Sequence, residues 1–484
     1  MDERMNRSPN KNTQAANFGR ADVVILGAGI TGLSAARFLE DKGIASVILE
    51  KDTRPGGTIR TDRVDGFLVE SGPNSALDTS PFLHELFGLA GVEASLEYAN
   101  GQSNNRYILR DGRLNNLPMN PVAFVKTPLF SASSKLRLLK EPFVAPSDPD
   151  EDVTLAEFVR RRLGEEFLDY AINPFVAGVY AGNPEDLSVR SGFPKLWELE
   201  QKYGSLIKGA VWGARERRKR KTVSKQNARL FSFRGGMQEM VDALSRRGGG
   251  RIVTGTTVET IEKTRGGFAV TARANGAPER YECRALVLAV PAHAYGGLSF
   301  DFDFPLRAQF DKIVYPPVAV VFFGYRANPA RIPLDGFGFL IPKKENRAIL
   351  GTIWSSTIFP GRAPEGGVAL TTFAGGSRQP EKALVPEGEL VESVRGELRD
   401  LMGIDAKPDT VVVARWDKAI PQYRVGHARI IESIERFERE CPGLYIGGNF
   451  RGGISVSDCI QSAKTLCERI AADLSNGDEE RRAR

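Results

Sequence analysis

The stretch VVILGAGITGL, residues 23–33, constrains this chain more than any other feature. An apolar run ends in three glycines spaced G-x-G-x-x-G, and helix-compatible residues follow at once. Gly27 permits a tight turn, Gly29 lets the main chain approach a pyrophosphate, and Gly32 lets a helix pack closely on the preceding strand. The N–H groups at such a helix end attract an anion. The pattern predicts a strand at Asp22–Leu26, a helix over Ile30–Lys42 ended by Gly43, and a second strand at Val47–Glu50. Glu50 stands eighteen residues beyond Gly32, where a carboxylate accepts from ribose hydroxyls. This is the start of an α/β fold that holds a dinucleotide. Taken alone, a glycine turn that binds nothing stays open.

Length and charge narrow the classes. A chain of 484 residues, 41% hydrophobic and 26% charged, exceeds one core and predicts two or three domains. The net charge of +6 is concentrated in the run Arg215–Lys221, with six positive residues and one negative. The remainder is nearly balanced, which argues against nucleic acid as a partner. Cys283, Cys441, Cys459 and Cys467 form no C-x-x-C pair, and the three histidines are His84, His293 and His427. No metal is expected, and a Ser-His dyad is disfavoured. The first twenty residues are polar, read as a disordered leader and not a secretory signal. Apolar runs such as VAVVFFGY fall far short of the roughly 18 residues a spanning helix needs.

Between Pro118 and Gly213 the chain reads as helices broken by proline, with a capping box at Thr154 and Glu157. RIVTGTTVETIE, GFAVTARA, RALVLAVP, PVAVVFFGY, ILGTIWSS and GVALTTFAGG then read as strands. Near the end LYIGGNF reads as a buried strand. SDCIQSAKTLCERIAADL reads as a helix capped by Ser457 or Asp458. The first and last βα elements share one style, so a dinucleotide domain assembled from separated segments is expected.

The segment EKDTRPGGTIRT (50–61) sets Arg54, Gly56 and Gly57 directly after the second strand. With GLYIGGNFRGGISVSDCIQSA (443–463) it resembles the flavin amine oxidase superfamily. That resemblance implies one non-covalent FAD per chain. Its contacts would come from Gly27, Gly29, Ile30, Thr31, Gly32, Glu50, Lys51, Arg54, Gly57, Thr58, Gly72, Pro73, Asn74, Val258, Trp416, Gly448, Asn449, Ile454, Ser455 and Val456. The closing helix would point its N-terminus at the flavin and stabilise the reduced ring.

The stretches NNRYILRDGRLNNLP, NPFVAGVYAGNPEDLSV, FPKLWELEQKYGSLIKGA, FSFRGGMQEMVDAL, GFGFLIP and IPQYRVGH are similar to the protoporphyrinogen oxidase family. The resemblance implies a multi-domain α/β (α+β) architecture with three parts. A discontinuous, Rossmann-like FAD domain would take residues 21–97, 231–299 and 427–475. A mixed-sheet substrate domain would take 98–117 and 300–426, and a helical membrane-binding insert 118–230. A disordered tail would follow from 476. The implied reaction is six-electron oxidation of protoporphyrinogen IX by dioxygen, yielding hydrogen peroxide, with hydride passing from a meso carbon to flavin N5. Arg106 would pair with a substrate propionate, and Phe175, Val176, Gly178, Leu340 and Trp354 would line the macrocycle. Read by themselves, Arg106 is more readily a surface charge at the start of a strand, and Leu340 and Trp354 are more readily core residues on strands. No side chain emerges as a general base. The implied location is cytoplasmic, peripheral to an anionic inner membrane, with room for a homodimer and for hand-over to a ferrochelatase. Coproporphyrinogen III is the alternative substrate. An amine oxidase or desaturase, or a non-catalytic flavoprotein, are the alternatives of another class.

Overall fold

Four apolar residues, Val23–Leu26, lie at the centre of the first sheet and are wholly buried. The structure, a computed structural model, describes residues 18–220, 228–246 and 250–482. The opening strand, Phe18–Leu26, lies between Ser46–Leu49 and Ala277–Leu288, and both run parallel to it. Arg251–Val253 flanks the second of these strands and Leu444–Ile446 the third, again in parallel. Gly267–Ala274 and Thr256–Thr264 extend the sheet antiparallel, giving seven strands from distant parts of the chain. Burial on both faces accounts for the continuous apolar runs of the parallel members.

Two helices expected from the sequence cover one face, Ile30–Asp41 and Val456–Arg482. The Cys467 thiol of the second reaches the Ala35 carbonyl of the first (3.2 Å). Two terminal expectations need correction. The tail expected to be disordered from residue 476 is helical to Arg482, held where Arg284 binds Asp478 (2.6 Å) and the Leu474 carbonyl (3.0 Å). Of the expected leader, residues 18–20 already pair with Arg280–Glu282 in the sheet, and the rest lies outside the described residues.

The second sheet also has seven strands, in the order Thr410–Trp416, Val318–Tyr325, Val368–Gly375, Gly351–Ile353, Gly336–Leu340, Asn105–Arg110 and Arg113–Asn116. Every residue of Val318–Tyr325 is buried, as VAVVFFGY predicts for a strand with neighbours on both sides. The helix Glu387–Met402 seals one face through Leu390, Val394 and Leu398.

Residues 118–220 are mainly helical. Thr154 and Glu157 form the reciprocal capping box that starts Leu155–Arg162. Gly204 (φ 65°) ends Pro194–Tyr203 before a second helix, Leu206–Arg220. Within this unit Arg162 is almost wholly buried between Glu141 and Glu200. Burial pushes both carboxyls up, but it is outweighed. Bonds from Ser205, from the Leu206 and Ile207 N–H groups and from Arg162 hold Glu141 below its ordinary range. Outside, Met119, Val122, Val125, Leu136, Leu139 and Phe143 are exposed. The main chain of the basic run continues the helix as far as Arg220, but its side chains lie outside the described residues. Among the described residues no helix is long and apolar enough to cross a membrane.

Candidate functional site

The parallel strands of the first sheet end along one edge, the crevice where open α/β sheets bind ligands. There the three glycines do different work. Gly27 has φ +100°, and a Cβ on it would lie 2.9 Å from the Ala289 carbonyl oxygen. A Cβ on Gly32 would lie 2.0 Å from the Gly27 carbonyl oxygen, so the helix rests directly on the turn. Around Gly29 a Cβ would meet nothing within 4 Å. Gly29 caps the helix without a side-chain acceptor, and no acid stands in the first turn that begins with Ile30 and Thr31. The helix end therefore keeps its partial positive charge.

A second glycine turn faces the first. The Gly56 N–H donates to the Ala28 carbonyl (2.8 Å), and a Cβ on Gly57 would sit 3.5 Å from Gly29 Cα. Two stretches of bare backbone thus form a cradle that fits a pyrophosphate. Arg54 lies beside it, half-buried, donating to the Ile59 carbonyl (3.1 Å) and making no ion pair among the described residues. Burial lowers its pKa, with Arg60 adding to the effect, and a guanidinium nevertheless stays charged at neutral pH. Glu50 accepts from the Ala28 N–H (2.6 Å) on one oxygen and from the Asp52 N–H (2.8 Å) on the other. A carboxylate has about four acceptor positions, so about two remain for ribose hydroxyls.

The turn after the next strand is built as tightly. A Cβ on Gly72 would come within 1.8 Å of the Thr58 carbonyl oxygen, so only glycine fits. Pro73 follows, and then Asn74, whose amide donates to the Gly72 carbonyl (3.1 Å) while its Oδ1 is buried without a partner. Trp416 closes its strand by donating Nε1 to the Ser71 carbonyl (2.7 Å), which ties the second sheet to this turn. Val258 is half-buried at an irregularity of Thr256–Thr264, the strand that starts where the Thr256 N–H meets the Glu50 carbonyl (2.8 Å). Lys51 and Thr58 are exposed at the rim.

The far end of the chain completes the crevice. A Cβ on Gly447 would be 3.3 Å from Thr31, which places the loop of Gly448 and Asn449 against the first helix N-terminus. The cap of the closing helix corrects the expected one. Val456 begins that helix, so Ser455 accepts from the Asp458 N–H (3.1 Å), and Ser457 donates to the Leu77 carbonyl instead (2.6 Å). Ile454 packs with Leu340 against the cluster containing Val176 and Tyr180.

That cluster brings together several residues expected to meet a substrate. A Cβ on Gly178 would be 2.6 Å from a Leu340 methyl, so the two are in contact. Phe175 is 45% exposed on the same short helix, Asn173–Tyr180. Val176 is wholly buried and faces the interior of the helical unit. Trp354 is likewise interior, its ring 5.6 Å from that of Tyr107 and its Nε1 without a partner. Arg106 is exposed over the Phe337 ring (5.6 Å) with no carboxylate partner among the described residues. Alternation along its strand sets it on the face of Ile108, which packs in the same cluster as Leu340.

All three histidines have other engagements. His84 binds Asp78 (3.0 Å), His293 packs edge-on to Tyr315, and His427 binds the Phe450 carbonyl (2.9 Å). Two residues with no assigned role in the sequence reading, Tyr423 and His427, hold the loop at Asn449–Gly453. Their only signal in the sequence is the stretch IPQYRVGH, which carries likeness to a family but no pattern that marks a partner.

Residues 30–471 match the family model for flavin containing amine oxidoreductases. The chain is 32% identical to protoporphyrinogen oxidase 2 of Arabidopsis thaliana, across 93% of each chain. It is 28% identical to coproporphyrinogen III oxidase of Bacillus subtilis, across 92% of this chain and 97% of that one. Cyclohexylamine oxidase from Brevibacterium oxydans shares the fold at 17% identity, with a TM-score of 0.68 over 94% of this chain and 99% of that one.

Proposed function

This chain belongs to the flavin-containing amine oxidoreductase family, and from that premise we propose that it oxidises protoporphyrinogen IX to protoporphyrin IX. It is an FAD-dependent oxidoreductase. The observation that carries the substrate is the 32% likeness over 93% of both chains, which takes in the stretches between the two flavin elements as well as the elements themselves. When bound, FAD supplies a two-electron acceptor, used three times per porphyrin formed.

The residues present fit that cofactor. The facing turns at Gly29 and Gly57 leave room for its pyrophosphate, Arg54 is a nearby cation without an ion pair among the described residues, and Glu50 has acceptor capacity left for a ribose. The chain's own task is orientation and electrostatic tuning, which is what proteins usually add to cofactor chemistry. Gly178 and Leu340 give a broad apolar wall against which a macrocycle can lie flat. Arg106 supplies a fork-shaped donor set for one propionate. With each described histidine engaged elsewhere, protons leave the pyrrole nitrogens to solvent or move within the ring.

The coproporphyrinogen reading rests on the Bacillus subtilis relative. Incubating the purified protein in air with each porphyrinogen, and following porphyrin fluorescence, separates the two. A faster reaction with protoporphyrinogen is expected, and preference for coproporphyrinogen overturns the substrate assignment.

For the helical unit we propose an anionic lipid surface as partner. Its exposed apolar side chains alternate with Lys126, Arg137 and Lys140, which are also exposed. Basic residues near such a surface contribute about 1 kcal/mol each. Docking of this kind would keep the enzyme peripheral and close to a poorly soluble substrate.

A further inference from the structure

Residues 420–427 cross the molecule where the helical unit, the second sheet and the closing loop meet. On one side they are bound to the helical unit. Gln422 donates to the Tyr180 carbonyl (2.8 Å), the Ser188 N–H donates to the Tyr423 carbonyl (2.8 Å), and the Gly426 N–H donates to Asp152 (2.7 Å). On the other side they grip the loop that follows Leu444–Ile446. The Tyr423 hydroxyl donates to the Asn449 carbonyl (2.7 Å) and accepts from the Gly453 N–H (3.1 Å). His427 adds a bond between Nε2 and the Phe450 carbonyl (2.9 Å). A carbonyl only accepts, so Nε2 carries the hydrogen; burial pushes the imidazole pKa down to about 4, leaving the ring neutral. The two rings stack, 4.2 Å apart and 11° from parallel, and both residues are 4% exposed.

Within the gripped loop Phe450 is buried and Arg451 donates to Glu438 (2.7 Å) and to the Ile446 carbonyl (2.8 Å), which leaves the glycines on either side as its permissive points. Gly448, Gly452 and Gly453 have φ of 138°, 82° and 129°, and glycine reaches such angles with little preference for them. One phenol therefore fastens both ends of Asn449–Gly453, and it stands immediately before the helix that begins at Val456.

We propose that Tyr423, braced by His427, is a positioning residue that holds the loop 447–455 and the following helix N-terminus in register with the flavin. The inference rests on the FAD reading above. Phenylalanine at 423 keeps the ring stack and loses both hydroxyl bonds, so the stretch from Gly452 to the helix, beyond the anchor at Arg451, relaxes and the helix end moves from its aim. Stabilisation of the reduced, negatively charged cofactor then weakens.

The test is Tyr423→Phe in the full-length holoenzyme, with Tyr281→Phe as a control that removes a buried-sheet phenol bonded to Glu279. The expected result is normal FAD content and a reduced form about tenfold less favoured over the oxidised form. That is a potential lower by about 30 mV for a two-electron couple. The rate constant kcat should fall severalfold with KM changed less than twofold. The control should keep the wild-type potential. If Tyr423→Phe does not fold, His427→Leu reads the same bond network, and His427→Gln, which keeps an N–H donor near Nε2, should restore the potential. A wild-type potential in Tyr423→Phe, or in His427→Leu where that substitute is needed, overturns the inference and leaves the FAD reading standing. A wild-type protein that binds no flavin overturns both.

Discussion

Gly29 and Gly32 stand three residues apart in one motif, yet replacing each by alanine should break different things. At Gly32 the new methyl would start 2.0 Å from the Gly27 carbonyl oxygen. Backbone must then shift, and overpacking of this kind costs typically 1–3 kcal/mol, roughly, of folding stability. Gly29 has φ −69° and ψ 174°, which any residue adopts, and open space around it. Alanine there should cost the fold less than about 1 kcal/mol, the difference between two N-cap residues. It should instead intrude on the pyrophosphate. Loss of one charge-assisted N–H bond is worth about 1.5–3 kcal/mol, which corresponds to FAD binding weaker by roughly 10- to 100-fold. Thermal unfolding of the FAD-free proteins, with FAD titration followed by flavin fluorescence, separates the two effects. Gly29→Ala that binds FAD as tightly as wild type would refute the cradle.

Four other outcomes are expected. Arg106→Ala should raise KM for the porphyrinogen about tenfold or more, the worth of a charged hydrogen bond, without altering FAD content; steady-state kinetics would expose an unchanged KM. Glu70 is buried, and burial raises its carboxyl to about 7 despite bonds from Thr61 and the Met237 N–H. With the folded pKa above the ordinary 4.5, its contribution to stability is full below that value and is lost as pH rises through about 7. Unfolding free energy should accordingly fall between pH 5 and pH 7.5, by roughly 1.4 kcal/mol per pH unit at most, with the melting temperature falling alongside, and Glu70→Gln should flatten that slope. Arg162→Ala leaves Glu141 and Glu200 buried without their cation and should cost about 3–5 kcal/mol in urea unfolding, where a loss below 1 kcal/mol would count against the network. Phe143→Asp should reduce sedimentation with anionic vesicles, and salt should reduce wild-type binding; insensitivity to both would remove lipid as the partner.

The parts legible in the sequence are those where stereochemistry leaves one choice. Gly27, Gly32 and Gly72 sit where a Cβ would strike backbone oxygen, so their pattern survives as a readable motif. The strand at Val318–Tyr325 is also legible, because an eight-residue apolar run rich in valine and aromatics is too short for most helices and suits a strand buried on both faces. Val176 and Trp354 were less legible: an apolar residue announces burial but not which side of a wall it occupies. The brace at Tyr423 and His427 was unreadable, since its bonds go to main-chain atoms of a loop near residue 450. Main-chain acceptors leave no complementary residue to find. The position of the closing cap failed for a related reason, as Ser455, Ser457 and Asp458 can all cap and only the bond to Leu77 sorts them.

The strand Leu444–Ile446 lies beside Ala277–Leu288, and the helix after it covers the helix of Ile30–Asp41. A nascent chain therefore exposes an unpaired edge at residues 286–288, and an uncovered helix face near Ala35, until more than four hundred residues have been made. Such edges invite pairing with other chains, and contacts of this sequence separation form slowly. A chain cut short before residue 444 would lack both the strand that pairs with residues 286–288 and the helix that reaches Ala35, and its open edge would favour aggregation.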